Sequence, residues 1–244
     1  MRVAIQQWVD EENYSFEPKI SDDRLSWSLV LKVSKQPPTD DWGFMLSEVI
    51  HHLRSVLDNI VVMIAQSTKQ LTSKEMRSLQ FPITVSNEDW QMKKSWVAIL
   101  PEKYQKAIEN IQPFQRIQEG KTADQDPLLL LRELNNSDKH HIQIKPIIQQ
   151  MEINHGFTVE FHSEEDAAKN VPPNIHVYMP AFVDNALLLK QETVSKIAKL
   201  NGKANFKMQL QVEWKSGQFT EMDFCIGGLC YYTGVVLEYL TAVK

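Results

Sequence analysis

Ser47, His51, Arg54 and Asp58 follow one another at intervals of four, three and four residues. At about 100° per residue this places them within roughly 60° of arc on one helix face. A second group, Arg132, Asn136 and Lys139, falls on another helical stripe and runs into Asn135-Asn-Ser-Asp-Lys-His-His141. Together these side chains could serve phosphodiester chemistry. His140 would move a proton on or off a ribose 2′-hydroxyl, Arg54, Arg132 or Lys139 would hold a phosphate, and Asp58 or Asp138 would orient the cations or the imidazole. The same residues also suit a role without catalysis. His51, Arg54, Asp58, Asn136, Asp138, Lys139 and His140 would then form a polar network that fixes how two helices pair. A simpler reading of the first group is a solvated face with one i,i+4 ion pair, worth about 0.2–0.5 kcal/mol. For the second it is a helix C-terminus, where Lys139, His140 and His141 complement the dipole.

The paired histidines, His51-His52 and His140-His141, do not chelate as pairs, because neighbours on a helix point about 100° apart. One His from each pair with Asp58 or Asp138 is the metal arrangement that remains. The expectation is no metal and no cofactor. The sequence carries no Gly-rich phosphate loop, GxSxG elbow or HExxH motif, and Gly227-Gly228 lacks a strand–turn–helix setting. The two cysteines, Cys225 and Cys230, are five apart, a spacing that fits neither a CxxC pair nor a zinc knuckle and predicts two core thiols.

The elements that must position these groups follow from hydrophobic period. Two short blocks, Val3 to Trp8 and Leu25 to Val33, alternate apolar and polar and predict a strand pair with a turn-like EENYSFEPKISDD between them. A long central helix from near Trp42 to Gln66, capped by Thr39, Asp40 or Asp41, carries apolar residues at three- and four-residue intervals over most of its girth. Phe81-Pro-Ile predicts an extended piece, Ser86-Asn-Glu-Asp-Trp a helix start, and Pro101 to Ile111 a further helix. Gly120 to Asp126 reads as a loop, with a helix from Asp126-Pro127 to about Lys139. Beyond it, Ile142 to Gln149, Phe157 to Phe161, Ile175 to Tyr178, Ala186 to Lys190 and Phe206 to Trp214 predict an antiparallel sheet, closed by a helix over Gly227 to Val243. The fold class is α+β within a single domain: strands over 1–40, a helical core over 41–141 carrying both motifs, and a β-rich part over 142–244. Trp90, Trp96, Trp214, Tyr231 and Tyr232 are expected to pack in the core or on the sheet, since no basic segment interleaves with them.

Composition narrows the function classes. The chain has 244 residues, 43% hydrophobic and 23% charged, with a formal net charge of −5. This suffices for a sizeable core and supplies no global basic field for nucleic acid. The start has no basic region followed by an apolar run, and the Val56 to Ala65 stretch is too short and too polar to span a bilayer. A cytoplasmic protein with no membrane partner is expected. RNA, protein and a second copy of the chain all stay open as partners.

The motifs also resemble a family of uncharacterised bacterial proteins. Its first helix reads like His-Asn-Leu-Arg-Ser-Ala-Leu-Asp-His, and its later helix ends in Asp-Lys-His-Arg. Here these stand as His51-His52-Leu53-Arg54-Ser55-Val56-Leu57-Asp58-Asn59 and Ser137-Asp138-Lys139-His140-His141. Phe81-Pro82-Ile83 and Gln112-Pro113-Phe114 are similar to landmarks between them, so the likeness spans about residues 25 to 145. His52, Asn59 and His141 stand where the family has Asn, His and Arg. The helical part is also similar to the HEPN group, many of whose members are metal-independent ribonucleases of toxin or phage-defence systems. That resemblance implies Arg132 and His140 as its Arg and His, here separated by seven residues. The preferred expectation is a non-catalytic binding or interaction protein, and the alternative is a HEPN-like ribonuclease. Either way, the two motif helices should lie side by side, because each polar stripe is costly to bury alone.

Overall fold

The computed structural model describes residues 1–117, 126–139 and 144–243, and leaves the side chains at 138, 139, 150, 151 and 206 outside that description. Most of the loop expected over Gly120 to Asp126, the start of the strand expected from Ile142, and both His140 and His141 therefore lie outside the described residues. The chain opens with α1 (Arg2–Asp10), β1 (Tyr14–Ile20) and β2 (Ser26–Val33). Next come α2 (Thr39–Thr68), α3 (Ser73–Ser78), α4 (Asn87–Lys93), a 3-10 turn (Lys94–Val97), α5 (Glu102–Asn110), α6 (Pro113–Ile117) and α7 (Pro127–Lys139). The remainder is β3 (Pro146–His155), β4 (Thr158–Phe161), α8 (Glu164–Ala168), β5 (Asn174–Val177), β6 (Leu187–Glu192), β7 (Ile197–Asn201), β8 (Ala204–Lys215), β9 (Gln218–Glu221) and α9 (Met222–Thr241). The fold is α+β, with N-terminal strands, a helical core and antiparallel sheets. The chain divides into two compact units, residues 1–39 with 147–211 and residues 40–146 with 212–244.

The first unit is built on an antiparallel sheet of order β1-β2-β6-β5. β1 and β2 pair from Tyr14 opposite Val33 to Ile20 opposite Trp27. Leu29, Leu31, Leu188 and Leu189 are fully enclosed, as is Trp27, whose indole N–H donates to Gln191 Oε1 at 2.8 Å. Pro18 is accommodated because β1 is an edge strand, where a missing N–H leaves no ladder bond unmade. The strand expected over Val3 to Trp8 is instead α1, and the strand lies in the segment that reads as a turn. Local polar contacts decide this. Gln6 reaches Asp10 and Gln7 reaches Glu11, both one turn on, while Asn13 donates to the carbonyl of Trp8 at 2.8 Å and closes the helix end. Only Trp8 of α1 is buried, so the apolar alternation there carries little weight. β4 and β7 form a separate pair.

In the second unit α2 buries Trp42, Leu46, Ile50, Leu57, Ile60, Val61, Ile64 and Ala65, the wide apolar face that its three-and-four spacing predicts. α9 packs against α5 and α7 through Met222, Cys225, Leu229, Val236 and Leu240, and it begins directly after the β8–β9 hairpin. The turn of that hairpin uses Gly217 at φ 73, a conformation open to glycine and strained for other residues. By length and a mean hydropathy of 1.2, α9 has the dimensions of a membrane-crossing helix; one of its faces is nonetheless committed to the unit's interior. Of the two cysteines expected in the core, only Cys225 is buried, and Cys230 is exposed because it faces away from that interior. Burial pushes the Cys225 thiol up to about 12, out of the range where a thiolate forms. Iodoacetamide should therefore label Cys230 and spare Cys225 in the native protein, as read by peptide mass spectrometry. Equal labelling would show that α9 opens readily.

One glycine in α2 is fixed by close approach. A Cβ at Gly43 would collide with the backbone carbonyl of Ile144. Backbone cannot swing aside as a side-chain end can, so Gly43→Ala should destabilise by about 1–3 kcal/mol in a denaturant melt. A neutral result would mean that the chain at Ile144 shifts freely.

Candidate functional site

Residues 79–84 form a strap without regular structure in which Leu79, Phe81, Ile83 and Thr84 are at most 5% exposed. Such a segment has no helix or sheet ladder to satisfy its peptide groups, and unpaired buried peptides are expensive. Side chains from the surrounding helices supply the missing partners. The Phe81 N–H donates to Asp58 Oδ1 at 2.8 Å, and the Phe81 carbonyl accepts from Arg54 Nη2 at 2.6 Å. The same guanidinium nitrogen donates to Asp58 Oδ1 at 2.8 Å. The Thr84 N–H and hydroxyl both donate to Gln112 Oε1, at 3.0 and 2.9 Å, and the Gln112 amide donates to the Ile108 carbonyl at 3.0 Å. Lys93 Nζ donates to the Ile83 carbonyl at 3.4 Å, and the Val85 N–H donates to Asp89 at 3.2 Å. Phe81-Pro-Ile, which reads as an extended piece, is thus held by side chains in place of a neighbouring strand.

The Arg54 and Asp58 side chains are 12% and 31% exposed, which departs from a solvated face. Burial lowers the Arg54 guanidinium from its ordinary value, and the carboxylate of Asp58 opposes that shift. A guanidinium starts so high that it stays charged. The pair is therefore a part-buried ion pair in which Arg54 Nη2 and Asp58 Oδ1 each also bond to the Phe81 backbone.

Next to the strap lies a cleft of about 140 Å³ lined by Arg54, Gln80, Ile83, Lys93, Trp96, Arg132, Asn135 and Asn136. It brings together Arg54 of the first motif and Arg132 and Asn136 of the second. α4 is positioned by Ser86, whose hydroxyl caps it by accepting from the Asp89 N–H at 3.2 Å; Asp89 then pairs with Lys93 at 2.9 Å along the helix. α7 is started by Asp126, whose carboxylate accepts from the Leu128 and Leu129 N–H groups, with Pro127 in the first turn where it lacks nothing. Arg132 pairs with Glu133 at 2.7 Å and lies 3.9 Å from Asp89. No carboxylate lines the cleft among the described residues.

The other residues singled out by sequence stand elsewhere. His51 is exposed, its ring 6.1 Å from that of His52. Asp138 and Lys139 end α7 with side chains outside the description, and His140 lies outside the described residues. Among the aromatics expected to be packed, Trp90 is 3% exposed and Tyr231 75%, whereas Trp96 is half-buried on the cleft wall. Sequence reading passed over Gln80, Lys93 and Asp89 as functional residues. The Ser86 cap followed by Asp89 and Lys93 four apart was the available signal. It also took Gln112 only as a landmark, with no reason to give it two buried partners. Among the described residues no group of three or more His, Cys, Asp or Glu stands together as a metal set would. No family of known proteins, no curated protein and no solved structure matches this chain.

Proposed function

We propose that this chain is a non-catalytic, cytoplasmic binding protein in which the first motif is structural and the second faces a ligand. The observation that supports this reading is the double commitment of Arg54 and Asp58 to each other and to both peptide groups of Phe81. Arg54 Nη2 and Asp58 Oδ1 so engaged hold a buried strap in place. The resemblance to the uncharacterised bacterial family fits the same view, since its landmarks at Phe81-Pro-Ile and Gln112-Pro-Phe are the strap and one of its clasps. The test is a comparison of Arg54→Ala and Arg132→Gln. The first should lower stability, the second should leave it nearly unchanged and reduce ligand binding. Equal losses of stability would end the division of labour.

Arg132 and Lys93 in one cleft also keep the ribonuclease reading alive, since cations at a cleft wall can hold a phosphodiester. In that reading, a HEPN-like enzyme of a toxin or defence system, His140 is the proton-transfer group. His140→Ala would then abolish RNA cleavage by the purified protein, and metal chelation would leave cleavage untouched. We expect no cleavage above background with either protein, measured on a labelled single-stranded RNA. Cleavage lost in the variant would establish the enzyme instead.

A further inference from the structure

Asn135 is 5% exposed and lines the cleft, yet its carboxamide makes no hydrogen bond to any described residue. Buried amides are rarely left without partners, so its donors and acceptor are available to whatever enters. Gln80 and Asn136, both exposed, add two further carboxamides to the lining. The charged groups are held from behind. Lys93 rests on Asp89, Arg132 on Glu133 and Arg54 on Asp58, and none of these carboxylates reaches the lining. The wall thus offers N–H groups from α2, α4, α7 and the strap, converging from several directions with little surplus charge. Such a set suits a tetrahedral oxyanion, which presents three terminal oxygens in three dimensions, better than a planar carboxylate with two. Among the described residues Trp96 and Ile83 supply the apolar wall, and Lys93 Nζ stands 5.8 Å over the Trp96 ring. At about 140 Å³ the space is close to the ~150 Å³ that takes one benzene ring. That size matches one phosphate and part of one ring.

We propose that the cleft formed by Lys93, Trp96, Arg132 and Asn135 binds a small phosphomonoester whose ring lies against Trp96. This rests on the binding reading above and names the ligand class for it. The test is calorimetric titration of the full chain with uridine 5′-monophosphate, glucose 6-phosphate, inorganic phosphate, uridine, benzoate and a single-stranded RNA, with phosphorus NMR following the fate of the bound esters. The expected result is one site per chain for at least one of the two esters. That ester should bind about tenfold or more tighter than inorganic phosphate, benzoate or the neutral uridine, a difference of about 1.4 kcal/mol. Arg132→Gln should weaken binding about tenfold or more while the melting temperature changes little; Asn135→Asp, which keeps the shape and adds a buried negative charge, should weaken it as much in protein that circular dichroism shows to be folded, at some cost in melting temperature. Failure of both esters to saturate below about 1 mM, tighter binding of benzoate, or unaltered binding in folded variants would overturn the proposal. So would RNA binding with a salt dependence of several phosphates. Hydrolysis of a bound ester would keep the site and overturn the non-catalytic reading, so the two can fail separately.

Discussion

Arg54→Ala is expected to lower the unfolding free energy by about 2–4 kcal/mol. Removing one partner of a buried ion pair costs about 3–5 kcal/mol because the survivor stays charged in a poor solvent, and Asp58, at 31% exposure, is less enclosed than that case. The Phe81 carbonyl also loses its donor. For a chain of this size each kcal/mol moves the melting temperature by about 2–4 °C, so the variant should melt roughly 4–16 °C lower. Asp58→Asn is the informative companion. It keeps an oxygen that can accept from the Phe81 N–H and from Arg54 but removes the charge, and should cost less than Arg54→Ala. A double-mutant cycle between the two should give a coupling of about 1 kcal/mol or more. Loss of RNA binding in a fully stable Arg54→Ala protein would show that the guanidinium serves a ligand and not the strap.

Gln112→Leu is expected to be comparably severe, about 3 kcal/mol, although leucine has similar bulk and no polar atoms to bury. Gln112 is fully enclosed. Its loss strands the Thr84 N–H, the Thr84 hydroxyl and the Ile108 carbonyl together, and each buried group left unmade costs about 1–3 kcal/mol. Adding Thr84→Val should recover about 1 kcal/mol by deleting the stranded hydroxyl, while the peptide N–H stays unsatisfied. Urea melts of the three proteins test this. A Gln112→Leu protein as stable as the parent would mean that the strap finds other partners, and its clasped geometry would lose its energetic meaning.

The elements legible in the sequence are those in which local signals and tertiary burial agree. α2 was readable because its apolar residues recur at three and four over seven turns, and α4 and α7 because Ser86 and Asp126 are caps that satisfy identifiable N–H groups. α1 and β1 were exchanged because the buried surface of α1 is a single tryptophan. With so little burial, the i,i+4 amide–carboxylate contacts outweigh the apolar pattern. β9 went unseen because Gln218–Glu221 carries a single apolar residue, Phe219, and β7 because Ile197 and Leu200 stand three apart instead of two. At the candidate site, Arg54, Arg132 and Asn136 share helical stripes and could be found by spacing. Lys93 left only the trace of its i,i+4 spacing from Asp89, and Gln80 and Gln112 left none, because their positions at the site are relations between segments that exist only once the chain is folded.

The route of the chain between its two compact units has a bearing on synthesis. It enters the sheet unit, leaves for the helical unit at Asp40, returns at Ile147 and leaves again at Val212. The helical unit is therefore finished by its latest-made residues: α9 supplies Leu229, Val236 and Leu240 to an interior begun almost two hundred residues earlier. At about 5–20 residues per second, on the order of five seconds or more separate the emergence of α7 from the ribosome and that of α9, which packs against it. Through that interval the apolar faces of α5 and α7 that receive α9 have nothing of their own to cover them. The nascent chain is most exposed to aggregation then, and a chaperone that holds apolar helices would act on this protein at that stage.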